Sequence, residues 1–418
     1  MKDINIRTYE LILSLSKAVD LVSPQLADHH IKVALIALNI CNDLKLPDDE
    51  LHATVLAAAL HDIGAFSLKE RLSLLSFESE NPHKHAYSGY KLLKSYKPFE
   101  EAADIVRFHH VPWINGNGNF FDGLEVPIAS HIVHLADRVS VLLGTQKDIL
   151  LESATITKMI TDRSGKVFAP AVVEAFRNLA KKESFWLEVC FPPDCSVSAF
   201  PAKIACESEL LDLTKLFSRI IDFRSRFTVN HSSGVAACAK KLSKLTGFSE
   251  RECHYMEIAG YLHDLGKLAI PAQILEKPTA LTREEHKIIR GHTYYTYRIL
   301  SPIKELHTIN TWASFHHERL DGNGYPFRLK APELSLGSRV LAVTDVFTAI
   351  MEDRPYRSGM TEDKAIKLLQ NMADGQALDP DIVDLLVYNF NDLNASRIEA
   401  QSEPSMEYGN LFLEVSNS

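Results

Sequence analysis

The chain has 418 residues, of which 46% are hydrophobic and 24% are charged. These fractions are typical of a soluble globular protein with room for two or three domains. The formal net charge of -9 argues against extended contact with polymeric nucleic acid, which requires a basic surface. The N-terminal stretch lacks the pattern of a secretory signal or a membrane span, and the six cysteines form no CxxC pair. We therefore expect reduced thiols, a cytoplasmic location and no membrane partner.

Helical periodicity dominates residues 1–185, and strand-like alternation is scarce, so this half is predicted to be all-α. Turn signals at 46–48, 81–82 and 115–118 separate its helices. Residues 186–208 contain three prolines and are predicted to form a packed connector. Helical periodicity resumes over residues 209–395. Residues 396–418, which are largely polar, are predicted to form a peripheral C-terminal tail.

Histidines and aspartates recur in the two halves at a nearly constant spacing. His61-Asp62-Ile63-Gly64 and His263-Asp264-Leu265-Gly266 are 202 positions apart (263 minus 61). The other pairs are 202 to 208 positions apart: His29 with His231, His85 with His292, His109-His110 with His316-His317, and Asp137 with Asp345. So regular an offset indicates a duplicated fold. A shared core would require only apolar residues, so the repeated polar ones predict metal ligands.

The C-terminal half offers seven candidate ligands: His231, His263, Asp264, His292, His316, His317 and Asp345. These are too many for one four-coordinate zinc ion, but a bridging Asp264 would let them serve two divalent cations. Imidazole-rich ligation suits iron or manganese, with nickel and zinc as alternatives. Two such cations would attract a phosphate ester and activate water, so hydrolysis is the expected chemistry.

The stretch HDLGK at residues 263–267 contains the expected catalytic residues His263, Asp264 and Lys267. Lys267 places a compact positive charge beside the metal ligands. Either Lys267 or a metal-bound water would protonate the leaving oxygen. Gly266 lies where a helix often ends in the left-handed conformation, which a glycine adopts without strain.

The C-terminal half resembles the HD-GYP phosphodiesterases, a branch of the HD superfamily of metal-dependent phosphohydrolases. The resemblance covers about residues 222–385 and rests on HSSGVA, YLHDLGKLAIP, HHERLDGNGYP and VLAVTDVFTAI. It implies an all-helical domain that opens a cyclic dinucleotide, typically cyclic di-GMP, at a site with two or three metals. The product would be a 5′-phosphorylated linear dinucleotide. The tandem arrangement of an HD and an HD-GYP domain also resembles bacterial enzymes that hydrolyse 3′3′-cyclic GMP-AMP (3′3′-cGAMP).

The same resemblance implies a set of substrate contacts: Lys267, Arg354 and Arg357 at the phosphate, and Asp321, Gly322, Gly324 and Tyr325 in the loop beneath the site. The two Asx-Gly steps of this loop suit tight turns with positive φ. Tyr325 either contacts the substrate or only packs the loop. Phe227 stands where three-metal members carry a glutamate, so two metals are expected.

The N-terminal half resembles a plain HD domain with a second candidate metal site, formed by His29, His61, Asp62, His85, His109, His110 and Asp137. His30 is an alternative for the first position, although the spacing favours His29. Ala65 replaces the lysine, so the same reaction on a diester is not expected here. By resemblance to the tandem enzymes, this half is a candidate 5′-nucleotidase for the linear product.

Two other functions compete with a cyclic dinucleotide phosphodiesterase. The chain could be an inactive receptor for the cyclic dinucleotide, or a nucleotide phosphohydrolase that acts through its N-terminal half. The intact ligand set and Lys267 favour the phosphodiesterase. The expected partner is thus a cyclic dinucleotide, and the sequence leaves a homodimer open.

Overall fold

The computed structural model describes residues 6–65, 68–75, 83–144, 148–191, 204–223, 230–277, 279–353 and 358–402. The chain divides into two compact units, one of residues 7–204 and a second that begins at Ala205. This division lies within the stretch predicted to be a connector. Among the described residues, no helix combines the length and the apolar character needed to cross a membrane.

The N-terminal unit is helical apart from very short strands. Its helices are α1 (Thr8–Asp20), α2 (His29–Leu44), α3 (Asp48–Leu60), α4 (Leu68–Leu74), α5 (His83–Lys94), α6 (Glu100–Phe108), α7 (Ile128–Leu143), α8 (Ile149–Thr161), α9 (Pro170–Ala180) and α10 (Glu183–Cys190). Strand β1 spans Ile6–Arg7, and β2 (Phe120–Phe121) pairs antiparallel with β3 (Leu124–Glu125). Helix α2 packs on α3 and α7, and α6 packs on α3 and α5.

The C-terminal unit repeats this order. After the short strand β4 (Ile204–Ala205) come α11 (Glu207–Phe223), α12 (His231–Leu245), α13 (Glu250–Leu262), α14 (Ala272–Leu275), α15 (Arg283–Leu300), α16 (His307–Ser314), α17 (Leu336–Met351), α18 (Glu362–Asp374) and α19 (Pro380–Tyr388). Helix α12 packs on α13 and α17, and α16 packs on α13 and α15. The all-α prediction is confirmed.

Equivalent helices begin or end at equivalent residues in the two units. His29 opens α2 and His231 opens α12, while α3 and α13 end directly before His61 and His263. Pro170 and Pro380 each open the last matched helix, α9 and α19, where proline is tolerated because its missing N–H needs no partner. The offset of histidines and aspartates in the sequence is therefore the offset of a repeated helical framework.

The beginning of the predicted tail differs from expectation. Residues 390–402 are helical, and Arg397 and Gln401 are buried. The Gln401 side chain donates to the backbone carbonyl of Asn230 at 3.1 Å, next to the first histidine of the C-terminal set. Polar composition alone suggested an exposed segment, but its buried polar groups are satisfied by hydrogen bonds.

Candidate metal centres

All seven candidate ligands of the C-terminal half converge in the structure. His231 begins α12, His263 and Asp264 follow α13, His292 lies in α15, His316 and His317 follow α16, and Asp345 lies in α17. Ligand atoms of His231, His263 and Asp264 lie within 4.8 Å of one another, as do those of His292, His316 and His317. The six side chains therefore form two adjacent groups, each suited in size to one cation.

Two aspartates connect these groups. Asp264 Oδ2 lies 3.2 Å from His263 Nε2 of the first group, and its Oδ1 lies 3.5 Å from His292 Nε2 of the second. Asp345 Oδ1 lies 3.0 Å from His231 Nε2, and its Oδ2 lies 3.7 Å from His317 Nδ1. In each aspartate, one carboxylate oxygen lies near the first ligand group and the other lies near the second. A ligand that bridges two cations requires this arrangement.

Backbone carbonyls fix the orientation of three imidazoles. The Nδ1 atoms of His263, His292 and His316 donate to the carbonyls of Gly260, Ile289 and Ala313 at 2.7, 2.7 and 2.6 Å. Each ring therefore presents Nε2 to the centre, as metal-binding histidines do when a second partner holds the other nitrogen. Burial lowers the pKa of His292 to about 3 and that of His316 well below its usual value, which keeps both rings neutral.

The positions of these nitrogens fit a bound cation. His292 Nε2 and His316 Nε2 face each other at 3.4 Å although both rings already donate through Nδ1, so two lone pairs converge. His263 Nε2 is fully buried and has no hydrogen-bond partner among the described residues. Converging lone pairs and an unsatisfied buried nitrogen are costly unless a positive ion lies between them.

Lys267 lies beside the candidate ligand Asp264. Its Nζ donates to Asp264 Oδ2 at 2.5 Å, and its side chain keeps 19% of its surface exposed. Burial alone would raise the pKa of Asp264, but His263 and Lys267 hold it well below the usual range. Asp264 is therefore a carboxylate, and Lys267 is an ammonium group at the boundary between the metal ligands and solvent.

Three further polar residues that the motifs did not indicate support this centre. His231 Nδ1 donates to Glu352 at 3.1 Å, and Gln401 Nε2 donates to the same carboxylate at 2.6 Å. Burial alone would lower the pKa of His231, but Glu352 and Asp345 raise it to about 10.

The third of these residues, Asp222, is buried in α11 and accepts from Ser232 Oγ at 3.1 Å. The sequence could have indicated Asp222, because Asp20 and Asp222 are 202 positions apart (222 minus 20), the same offset as the first histidines of the two halves.

The glycine-rich loop after His317 is held mainly by its own residues. Asp321 Oδ1 accepts from the Asn323 backbone at 2.8 Å, and buried Glu318 accepts from three backbone amides of residues 327–329. Gly322 has the expected positive φ of 76°, whereas Gly324 does not; a Cβ there would meet Glu318 Cα at 2.5 Å. The second glycine is thus required by close packing.

Tyr325 connects this loop to a metal ligand. Its ring centroid lies 4.9 Å from that of His317, and the guanidinium carbon of Arg290 lies 4.5 Å from its ring centroid. These contacts give Tyr325 a packing role against His317. The other predicted phosphate contacts, Arg354 and Arg357, lie outside the described residues, as does Phe227, on which the choice of two metals over three depends.

Gly266 does not adopt the left-handed conformation expected from its position, since its φ is not positive. It is required by close approach, because a Cβ at this position would lie 1.9 Å from the carbonyl oxygen of His292. Gly64 meets the same obstacle in the other half, 2.2 Å from the carbonyl oxygen of His85. In both halves the glycine lets the turn after the histidine and aspartate pack directly on the helix that carries the third histidine.

The seven candidate ligands of the N-terminal half also converge. Ligand atoms of His29, His61 and Asp137 form one group within 4.8 Å, and those of Asp62, His85, His109 and His110 form another. Asp62 again connects the two, with Oδ2 at 3.4 Å from His61 and Oδ1 at 3.2 Å from His85. His61 Nε2 is buried without a partner among the described residues. This donor set fits cations by the same criteria.

His30, the alternative first ligand, lies beside this centre. Its ring centroid is 5.1 Å from that of His61, and its Nδ1 donates to buried Asp20 at 2.5 Å. Ser232 occupies the equivalent position of the C-terminal half (232 minus 30 is 202). His29 Nε2 lies 3.4 Å from Asp137 Oδ1, and His29 belongs to the candidate ligand group.

Comparison with known proteins agrees with the repeated arrangement. Residues 26–142 and residues 215–382 each match the HD domain family. The protein is a tandem HD-domain protein. Its chain is 27% identical over 399 residues to the 3′3′-cGAMP-specific phosphodiesterase 1 of Vibrio cholerae, covering 92% of each chain. It is also 36% identical over 183 residues to the cyclic di-GMP phosphodiesterase response regulator RpfG of Xanthomonas campestris, which covers 43% of this chain and 48% of that one.

The fold has a counterpart among solved structures. The crystal structure of the V. cholerae cyclic GMP-AMP phosphodiesterase V-cGAP3 superposes with a TM-score of 0.65 and 23% identity, covering 93% of this chain and 98% of that one. At this level of identity, the match establishes the shared fold. The tandem HD-domain protein therefore shares its fold with this structure over nearly its whole length.

Proposed function

We propose that this tandem HD-domain protein is a metal-dependent phosphodiesterase that opens a cyclic dinucleotide to a 5′-phosphorylated linear dinucleotide at its C-terminal centre. The supporting observation is the pair of ligand groups connected by Asp264, with Lys267 on the same carboxylate. Relatives that align along nearly the whole chain are named as 3′3′-cGAMP-specific phosphodiesterases. We propose 3′3′-cGAMP as the first substrate to test, with cyclic di-GMP as the alternative.

The residues have distinct roles in this reaction. Bound divalent cations would supply activation of water and compensation of the charge that develops on phosphorus. Asp264 and Asp345 fix the two ligand groups at a constant separation. Lys267, held by Asp264, donates a hydrogen bond to a phosphate oxygen and transfers a proton to the leaving 3′ oxygen. His317, with 30% of its side chain exposed, marks the open side through which a large substrate enters.

The metals are proposed from ligand chemistry. A set rich in imidazole with two carboxylates suits iron or manganese, with nickel and zinc as alternatives. The N-terminal centre offers the same donor types and is proposed to take cations as well. The proposed role of that half as a 5′-nucleotidase concerns a different reaction and needs its own assay.

The decisive experiment compares products from three substrates. Metal-loaded protein is incubated with cyclic di-GMP, cyclic di-AMP and 3′3′-cGAMP, and the products are separated by chromatography. The double variant H263A/D264A should abolish ring opening, whereas the matched change H61A/D62A in the other half should leave it in place. Ring opening that survives H263A/D264A would refute the assignment of the site.

Measurements of cyclic dinucleotide binding and of phosphate release from mononucleotides separate the competing functions. A receptor would bind the cyclic dinucleotide tightly and return it intact. A nucleotide phosphohydrolase acting through the N-terminal half would release inorganic phosphate from mononucleotides and lose that activity in H61A/D62A.

A further inference from the structure

The N-terminal centre lacks the lysine of the HDLGK stretch, but another cation occupies the same region. Arg71 from α4 donates through Nε to the carbonyl of Ala65 at 2.7 Å and through Nη1 to the carbonyl of Val19 at 3.0 Å. Ala65 is the counterpart of Lys267 (267 minus 65 is 202). Val19 directly precedes Asp20, the counterpart of Asp222. The guanidinium therefore joins the turn that corresponds to the one carrying Lys267 to the end of α1, which corresponds to the end of α11.

The acidic residues beside the two cations are at equivalent positions. Lys267 acts electrostatically on Asp222 and Asp264, and Arg71 interacts with their counterparts Asp20 and Asp62. Burial lowers the pKa of Arg71 to about 10, which leaves the side chain positively charged at neutral pH. Each half thus has a cation that interacts with two aspartates at equivalent positions, supplied by the turn after α13 in the C-terminal half and by α4 in the N-terminal half.

The Nη2 amino group of Arg71 is left for a ligand. Only 2% of the residue is exposed, and its Nη2 has no hydrogen-bond partner among the described residues. A buried guanidinium N–H without an acceptor is destabilising, so a site of this kind is expected to receive an anion. The backbone carbonyls that hold Nε and Nη1 fix the direction of this remaining donor.

A second buried arginine lies at the N-terminal centre. Arg138 donates through Nη2 to Asp137 Oδ2 at 2.6 Å, whereas Val346 stands at the equivalent position of the other half (346 minus 138 is 208). The described part of the N-terminal centre therefore contains two buried arginines, Arg71 and Arg138. Two buried cations favour a phosphate group with two negative charges over a diester with one.

A cavity borders the N-terminal centre at one of its candidate ligands, His29. A cavity of about 400 Å³ is lined by the ligand His29, by Ser140, which bonds His29 Nδ1, and by Lys32 and Leu72. A cavity of this volume suits a small ligand. Lys32 adds a cation to its wall.

We propose that Arg71 takes over the role of the missing lysine and donates a hydrogen bond to an oxygen of a dianionic phosphate group bound at the N-terminal centre. The ligand class is inorganic phosphate or a phosphomonoester. This inference rests on the proposed cation binding of the N-terminal half and does not depend on ring opening in the C-terminal half.

The test uses the full-length, metal-loaded chain with H263A/D264A, so that the C-terminal centre cannot take up phosphate. Binding of radiolabelled inorganic phosphate is measured by equilibrium dialysis, with a nucleoside 5′-monophosphate and a cyclic dinucleotide as competitors. We expect saturable binding that the monophosphate displaces and the cyclic diester does not. In this background, Arg71→Met should weaken binding tenfold or more, because a charge-assisted hydrogen bond is lost. Arg177→Met, which removes an exposed arginine of the same half, should leave the affinity unchanged.

Two further measurements decide the outcome if Arg71→Met folds poorly. Ala65→Lys combined with Arg71→Met recreates the arrangement of the C-terminal half and should restore phosphate binding. In the background with Arg71 intact, phosphate should slow amide hydrogen exchange in α4, which carries Arg71. The proposal is overturned if a folded Arg71→Met variant binds phosphate as tightly as its parent. It is also overturned if a folded Ala65→Lys/Arg71→Met variant does not regain phosphate binding, or if phosphate does not change amide hydrogen exchange in α4.

Discussion

The glycine of each HDxG turn illustrates how one residue positions a metal centre. Replacing Gly266 by alanine would place Cβ 1.9 Å from the His292 carbonyl oxygen and 2.7 Å from the Thr296 nitrogen, so α15 would have to move. We expect Gly266→Ala to lower the free energy of unfolding by about 1–3 kcal/mol and to reduce metal binding. Chemical denaturation and metal analysis measure the two effects.

Gly291→Ala provides the control on the same helix. Its Cβ would meet only the Tyr295 side chain, at 3.3 Å, and alanine favours a helix more than glycine does. This variant should be as stable as the parent or more so. If both variants behaved alike, close approach at Gly266 could not be the reason for the glycine.

Glu352 is a positioning residue for His231. It accepts from Nδ1 of His231 and is itself held by Gln401, so it fixes the ring that presents Nε2 to the centre. Glu352→Gln keeps the size but removes the charge, and we expect about 10–100-fold weaker metal binding. Competition with a chelator measures this affinity.

The control for this change is Glu250→Gln, which alters a fully exposed glutamate paired with Lys244 in the same unit. It should leave metal affinity unchanged, since exposed ion pairs contribute little. Equal metal affinity in Glu352→Gln and the parent would exclude a positioning role for Glu352.

At the scale of elements, α11 carries a buried acid towards the centre. Burial raises the pKa of Asp222 to about 8, so the folded protein keeps its proton up to that pH while the unfolded chain loses it near 3.8. Between these values the folded state binds more protons, and stability falls as the pH rises. In chelator-treated protein, Asp222→Asn should therefore stabilise the fold more at pH 8 than at pH 5. Thermal unfolding at the two pH values tests this, and an equal gain at both would contradict it.

Helices and their duplication were predictable because both are encoded locally. Apolar periodicity marks the helices, and the repeated histidines and aspartates mark equivalent positions whatever the loop lengths. Glu352, Gln401 and Arg71 were not predictable, because each acts through a contact with a segment distant in sequence and belongs to no motif. The role of Gly266 was misjudged for the same reason, since the constraint comes from α15 and not from its own backbone conformation.

At the scale of the whole molecule, each metal centre takes its ligands from a single compact unit. The two centres should therefore load independently. We expect up to four divalent cations per chain, two in each half, because each half has two ligand groups connected by an aspartate. H61A/D62A should remove only the ions of the N-terminal half, and H263A/D264A only those of the C-terminal half. Metal content per chain, measured by mass spectrometry after desalting, should fall by the same number in each variant. A variant that loses all of its ions would show that the centres depend on each other for metal binding.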